Sequence, residues 1–152
     1  MKYIIVALVL VKLYQVGSAP EIEQRTIDAG DWRTAFAFDL LHRLNNDQPS
    51  TDTVAFIIGW TIAEDGSDGA FIRNNPLNTT QNSSAATHSI NGDGVKGYAT
   101  YEDGLDATVQ TLSYGYYTEI VAGLQTNDPQ RAYVGLINSP WASSRYGGSF
   151  QW

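Results

Sequence analysis

Residues 54–63, Val54-Ala55-Phe56-Ile57-Ile58-Gly59-Trp60-Thr61-Ile62-Ala63, constrain this chain more than any other stretch. They are apolar at nearly every position, so a helix through them has no broad polar side to turn toward water. Ser50, Thr51 and Asp52 are each good N-cap residues for such a helix. Glu64-Asp65-Gly66-Ser67-Asp68-Gly69 ends it in turn chemistry. The expectation is a helix buried in the middle of a domain, with the other elements packed around it.

The flanking sequence supplies those elements. Trp32, Phe36, Leu40 and Leu44 recur every four residues, with Ala35, Phe38 and Leu41 widening the stripe, which predicts a helix from Asp31 that stops at Asn45-Asn46-Asp47-Gln48-Pro49-Ser50. Thr100 followed by Asp103 resembles a capping box with Asp in place of Glu, and Leu105, Val109 and Leu112 continue a core face from it. Tyr114-Gly115-Tyr116-Tyr117 breaks that helix, and Ile120, Val121 and Leu124 mark a short one. Asp128-Pro129 restarts a last helix, with Asp128 at the N-cap and Pro129 at the first helical position. It carries Ala132, Leu136 and Ile137 and ends near Asn138-Ser139-Pro140. Between them, residues 73–97 are rich in Asn, Ser, Thr and Gly, and predict a long polar loop or a short hairpin around Asn91-Gly92. The chain is therefore expected to be mainly α, with residues 31–152 as one domain.

The N-terminus reads separately. Met1-Lys2, the apolar run 3–11 and the small-residue exit Gly17-Ser18-Ala19 predict a secretory signal in residues 1–19, although Lys12 interrupts the run and Pro20 hinders cleavage after Ala19. Extended over residues 3–16 with Lys12 snorkelling, the same segment predicts a membrane anchor. The alternative is a buried N-terminal strand or helix. Residues 20–30 read as a linker. The expected location is secreted or membrane-anchored.

Charge and cysteine usage exclude several functions. Nine basic residues against 16 acidic ones give a net charge of −7, with no basic stripe to displace counterions, so nucleic acid is not expected as a partner. No cysteine is present, which removes disulfides, thiolate catalysis and Cys-based zinc sites. His42 and His88 lack any paired-ligand spacing, so neither a metal nor a cofactor is expected.

One residue stands out chemically. Cleavage of a glycosidic bond requires a proton donor at the leaving oxygen, commonly a carboxylic acid with a raised pKa. Glu64 closes the most apolar helix, one turn after Trp60, at the negative end of the helix dipole, and leads into the polar loop. Desolvation and that dipole both favour a protonated carboxyl. The alternative is a solvated residue at a helix end.

Trp60-Thr61-Ile62-Ala63-Glu64 followed by Asn75-Pro76-Leu77-Asn78-Thr79-Thr80 resembles the lysozyme-like domains of phage and actinobacterial cell-wall proteins. The resemblance continues through Tyr98-Ala99-Thr100-Tyr101-Glu102-Asp103-Gly104, the helix Ala107-Thr108-Val109-Gln110-Thr111-Leu112, Gly115-Tyr116-Tyr117 and Ile137-Asn138-Ser139-Pro140-Trp141. It implies a lysozyme-like helical fold acting on peptidoglycan glycan strands, as a hydrolase or a lytic transglycosylase. Glu64 would be the general acid, beside a cleft formed by Trp60, Asn78, Thr79, Thr80, Tyr98 and Tyr101. Each loop Asn or Thr can equally bond its own backbone. Two features depart from the family: Asp65 stands where Gly is frequent, and nothing before residue 50 matches.

What completes the reaction stays open at this level. Asp65, Asp68 or Asp93 can serve as a second carboxylate that activates water, or the muramic C6 hydroxyl can attack with Glu64 as both acid and base. Two further readings remain: a non-catalytic glycan-binding or structural module on the same fold, since fold does not fix function, and a virion-associated lysin in contact with virion proteins, tethered by residues 3–16.

Overall fold

The computed structural model describes residues 32–65, 73–83, 87–141 and Trp152. The expected signal or anchor, the linker, the turn 66–69 and Asp68 lie outside the described residues. Among the described residues the fold is mainly helical, with five α-helices, one 3₁₀ turn and a two-stranded sheet. None of these helices is long and apolar enough to cross a membrane.

Helix α1 (Trp32–Arg43) buries Trp32, Phe36, Leu40 and Leu41 of the stripe read from the four-residue spacing, while Ala37 is buried and the expected Ala35 and Phe38 are only half-buried. Asn45, at φ 64°, terminates it. The Asn46 amide donates to Leu41 O at 2.8 Å and the Asn45 amide to His42 O at 3.0 Å, a Schellman pattern that closes the helix end.

Helix α2 (Thr51–Asp65) is capped by Ser50, whose Oγ accepts the Thr53 amide at 3.2 Å. Its start is fixed from outside by Asn127. The Asn127 Oδ1 accepts the Ser50 amide at 2.8 Å and Asn46 Nδ2 at 2.9 Å, while its Nδ2 donates to Gln48 O at 3.0 Å. Val54, Phe56, Ile57 and Trp60 are buried, but Ile62 is 51% exposed and Ala63 is exposed. The helix is thus not enclosed all round, contrary to the expectation from its apolar composition. A helix of 15 residues is about 22 Å long, and its last turn emerges from the packed layer, carrying Glu64 to the edge of the core.

The polar stretch contains the hairpin. Strands β1 (Thr87–Ser89) and β2 (Lys96–Tyr98) pair antiparallel, with His88 opposite Gly97. Their turn closes through Ile90 N to Val95 O at 2.8 Å, and the Asn91 Oδ1 accepts the Asp93 and Val95 amides.

Helix α3 (Tyr101–Leu112) begins at Thr100, whose Oγ1 accepts the Asp103 amide at 3.2 Å and donates to Asp103 Oδ2 at 2.6 Å. Asp103 thus meets the Thr100 hydroxyl and not the Thr100 amide, so the N-cap half of the expected box forms and the reciprocal half does not. The 3₁₀ turn Gly115–Tyr117 leads into α4 (Thr118–Gln125), and α5 (Pro129–Ile137) starts at Asp128, whose carboxylate accepts the Arg131 amide at 2.9 Å. Helices α4 and α5 pack closely because Gly123 has no side chain: a Cβ there would stand 2.4 Å from the Ala132 nitrogen. Trp60 lies in the core, with Phe56 tilted against it at 6.1 Å and Trp141 edge-on at 5.0 Å between ring centroids.

Candidate functional site

Glu64 sits in the last turn of α2, half-buried, and is met from the polar loop by Asn78. The Asn78 Nδ2 donates to the Glu64 backbone oxygen at 2.9 Å and reaches its carboxylate Oε2 at 3.4 Å. The first bond satisfies one of the carbonyls that every helix C-terminus leaves unpaired. The second ties the carboxylate to the loop. Asn78 has φ 53°, a left-handed conformation that Asn tolerates better than most residues.

A second asparagine holds this loop. Asn75 is fully buried, and its Nδ2 donates to Thr79 O at 2.9 Å and Lys96 O at 2.7 Å, while its Oδ1 accepts the Thr79 amide at 2.9 Å. The Lys96 amide also reaches Thr79 O, at 3.2 Å, so the loop is joined to β2. Leu77 is fully buried between the two asparagines and anchors the turn in the core. The segment 75–79 is therefore a preformed bracket between the end of α2 and the sheet.

The bracket extends through Thr79. Its Oγ1 lies 2.6 Å from Thr111 Oγ1 on α3 and accepts the Gln81 amide at 3.2 Å. The Tyr98 hydroxyl donates to Gln81 O, and the Tyr114 hydroxyl donates to Gln81 Oε1 at 3.0 Å. Burial pushes the Tyr98 phenol up to about 12, against a smaller opposing effect of its hydrogen bond with Thr79. It is neutral at physiological pH and acts as a donor.

These placements sort the residues anticipated from sequence. Glu64 and Asn78 are brought together. Thr80 is exposed beside them in sequence and open to solvent. Thr79 and Tyr98 are only 3% and 4% exposed, and their polar atoms are engaged inside the protein. Trp60 is fully enclosed, so it supports the helix from beneath; the expectation that it lines a cleft is corrected. Tyr101 is half-buried, with its hydroxyl on Asp39 Oδ2 at 2.7 Å, and burial followed by the Asp39 charge raises its pKa. It fastens α3 to α1, next to the pairs that Arg43 makes with Glu102 at 2.8 Å and with Asp106.

Asp93 stands exposed at the tip of the hairpin turn, its backbone amide on Asn91. Asp65 ends α2, and Asp68 lies outside the described residues. No group of three or more His, Asp or Glu side chains among the described residues is arranged to hold a metal ion. His88 instead lies over Gly97, where a Cβ would come within 2.7 Å of its ring.

Sequence reasoning passed over Gln81, Thr111 and Tyr114. Thr111 lies within a helix whose core face alone was informative. Tyr114 precedes Gly115 and reads as a helix breaker, yet its ring is 46% exposed and its hydroxyl joins the loop 33 positions earlier.

The arrangement offers a half-buried carboxyl group in the last turn of a helix, met by the amide of Asn78 from a loop that is hydrogen-bonded to the sheet. Such a group can donate and accept a proton at a bound polar ligand. Compared with protein-family models, curated proteins and solved structures, the chain matches none.

Proposed function

We propose that this chain is a peptidoglycan-directed glycosidase of the lysozyme-like kind, with Glu64 as general acid. The observation that carries the reading is the union of Glu64 and Asn78, 14 positions apart, at the point where the most apolar helix meets the polar loop. A proton donor in glycosidic bond cleavage must keep a fixed aim at the leaving oxygen. The bracket built on Asn75 and Asn78 supplies that aim.

In this reading Glu64 protonates the glycosidic oxygen between N-acetylmuramic acid and N-acetylglucosamine. The anomeric carbon is then taken either by water, activated by a second carboxylate among Asp65, Asp68 and Asp93, or by the muramic C6 hydroxyl, with Glu64 receiving its proton. Wall strands are the substrate, and export or membrane attachment through residues 3–16 places the protein on that side of the membrane, in free or virion-associated form.

The test is to incubate the full chain and its Glu64→Gln variant with purified peptidoglycan and analyse soluble products by mass spectrometry. Muropeptides are expected from the parent alone, with matching circular dichroism for the two proteins. Reducing ends identify a hydrolase and 1,6-anhydro ends a transglycosylase. Wall binding by both without release by either would replace the enzyme with a glycan-binding module.

A further inference from the structure

A second surface feature lies on helices α4 and α5. An open groove of about 470 Å³ runs between them. Tyr116 forms one wall and is 75% exposed, the most open large hydrophobic side chain described. Val134, 46% exposed, lines the same groove, and Ile137, 43% exposed, follows one turn later on α5. Apolar groups gathered on one face of a soluble domain mark an interaction site more often than scattered ones do.

The polar lining narrows the ligand class. Arg131 Nε donates to Glu119 Oε2 at 2.8 Å and its Nη2 to Oε1 at 3.2 Å, so guanidinium and carboxylate are locked as a fork. The hydrogen bonds from Arg131 hold the Glu119 carboxyl below the usual carboxylate range. Asp128 adds a second negative charge to the lining, which leaves the groove net negative. An anionic ligand is disfavoured there, and the one cation is already paired. Asn138 borders the groove, with its Nδ2 donating to Val134 O at 2.8 Å. An aromatic plate beside planar donors and acceptors suits a neutral polyhydroxylated ring, whose C–H face covers the aromatic while its hydroxyls bond the rim.

We propose that this groove is an accessory binding site for neutral N-acetylhexosamine glycan, with Tyr116 as its stacking platform. The choice of glycan rests on the proposed function of the chain. The site gives an acidic protein a hold on the wall that needs no electrostatic attraction, and it lies on elements other than α2 and the Asn75–Thr79 bracket that carry Glu64.

The test uses the full chain carrying Glu64→Gln, so that nothing is consumed, and tetra-N-acetylchitotetraose as the probe. In an NMR titration at millimolar sugar, the signals of Tyr116, Val134 and Asn138 are expected to shift together. Tyr116→Ala weakens that binding about tenfold, and Tyr116→Phe retains it. Unshifted groove signals at saturating sugar overturn the proposal, as does equal binding by Tyr116→Ala. Shifts that follow protein dilution instead of sugar assign the face to self-association and overturn it as well. The Glu64→Gln comparison on peptidoglycan is scored separately. Loss of groove binding with muropeptide release intact sinks the accessory site alone, and groove binding without Glu64-dependent release sinks the enzyme reading alone.

Discussion

Replacing Asn75 with Ala is the sharpest test of how the Glu64 loop is held. The side chain is fully buried and makes three hydrogen bonds with backbone groups. Truncation leaves the Thr79 amide and the Lys96 carbonyl without these partners, whereas Thr79 O keeps the Lys96 amide at 3.2 Å. Each buried polar group left unsatisfied costs about 1–3 kcal/mol, so two give about 2–6 kcal/mol. For a domain of this size each kcal/mol corresponds to roughly 2–4 °C in melting temperature, and the expected fall is about 10 °C.

Two companion variants separate this mechanism from mere loss of volume. Asn75→Asp preserves the shape and the acceptor for the Thr79 amide, but it sets an ionised oxygen against the carbonyls of Thr79 and Lys96. It should be at least as unstable as Asn75→Ala at neutral pH and recover stability in acid, where protonation restores a donor. Asn82→Ala, at an exposed position of the same loop, should stay within about 0.5 kcal/mol of the parent. Urea unfolding of the three variants reads all of this. An Asn75→Ala protein within about 1 kcal/mol of the parent would refute the bracket, and so would an Asn75→Asp protein as stable as the parent at pH 7.

What could be read from the sequence divides along a physical line. Elements governed by near neighbours were legible: most of the stripe of α1, the Thr100 cap, the Asp128-Pro129 start and the hairpin near Asn91 all depend on residues within one or two turns. The start of α2 was legible as a region only, since three cap candidates stand in a row and Asn127, 77 positions away, holds Ser50. The open end of α2 was not legible. Its apolar composition says nothing about where the layer packed on it stops.

The loop residues were harder for a related reason. Asn75, Asn78 and Thr79 carry the same donors and acceptors whether they face a ligand or the chain itself. Lys96 and Thr111, far along the sequence, decide that Asn75 and Thr79 face inward. Glu64 and Asn78 were grouped only through the family resemblance, and the two are in contact. Trp60 was grouped with them by its place one turn earlier, but one turn is enough to move a side chain from the rim into the core.

Three further outcomes follow from close contacts and buried phenols. In Gly104→Ala the new Cβ would stand 1.6 Å from Asn74 O, so α3 and the loop must part until an ordinary contact of about 3.3 Å is reached; urea unfolding should show a loss at or above the upper end of about 1–3 kcal/mol, and an unchanged midpoint would mean the two backbones are not in contact. Gly123→Ala forces α4 away from the Ala132 nitrogen and should cost about 1–3 kcal/mol in the same assay, whereas Gly115→Ala, with nothing near its added carbon, should not produce such a clash. Alkaline pH probes Tyr98, whose phenol is raised by burial to about 12 in the folded protein. The unfolded chain loses this proton near pH 10. Between those values the folded state binds more protons than the unfolded one, so stability must fall as pH rises. The contribution is fully present below pH 10 and is lost as pH climbs through about 12, at no more than about 1.4 kcal/mol per pH unit for one group. Tyr101, raised by burial and then by Asp39, adds a fall of the same sign. Melting temperatures from pH 9 to 12, compared with those of Tyr98→Phe, test this directly: the variant removes one of the titrating phenols and should show a shallower decline, and parallel curves would place the Tyr98 hydroxyl in water instead of on Gln81.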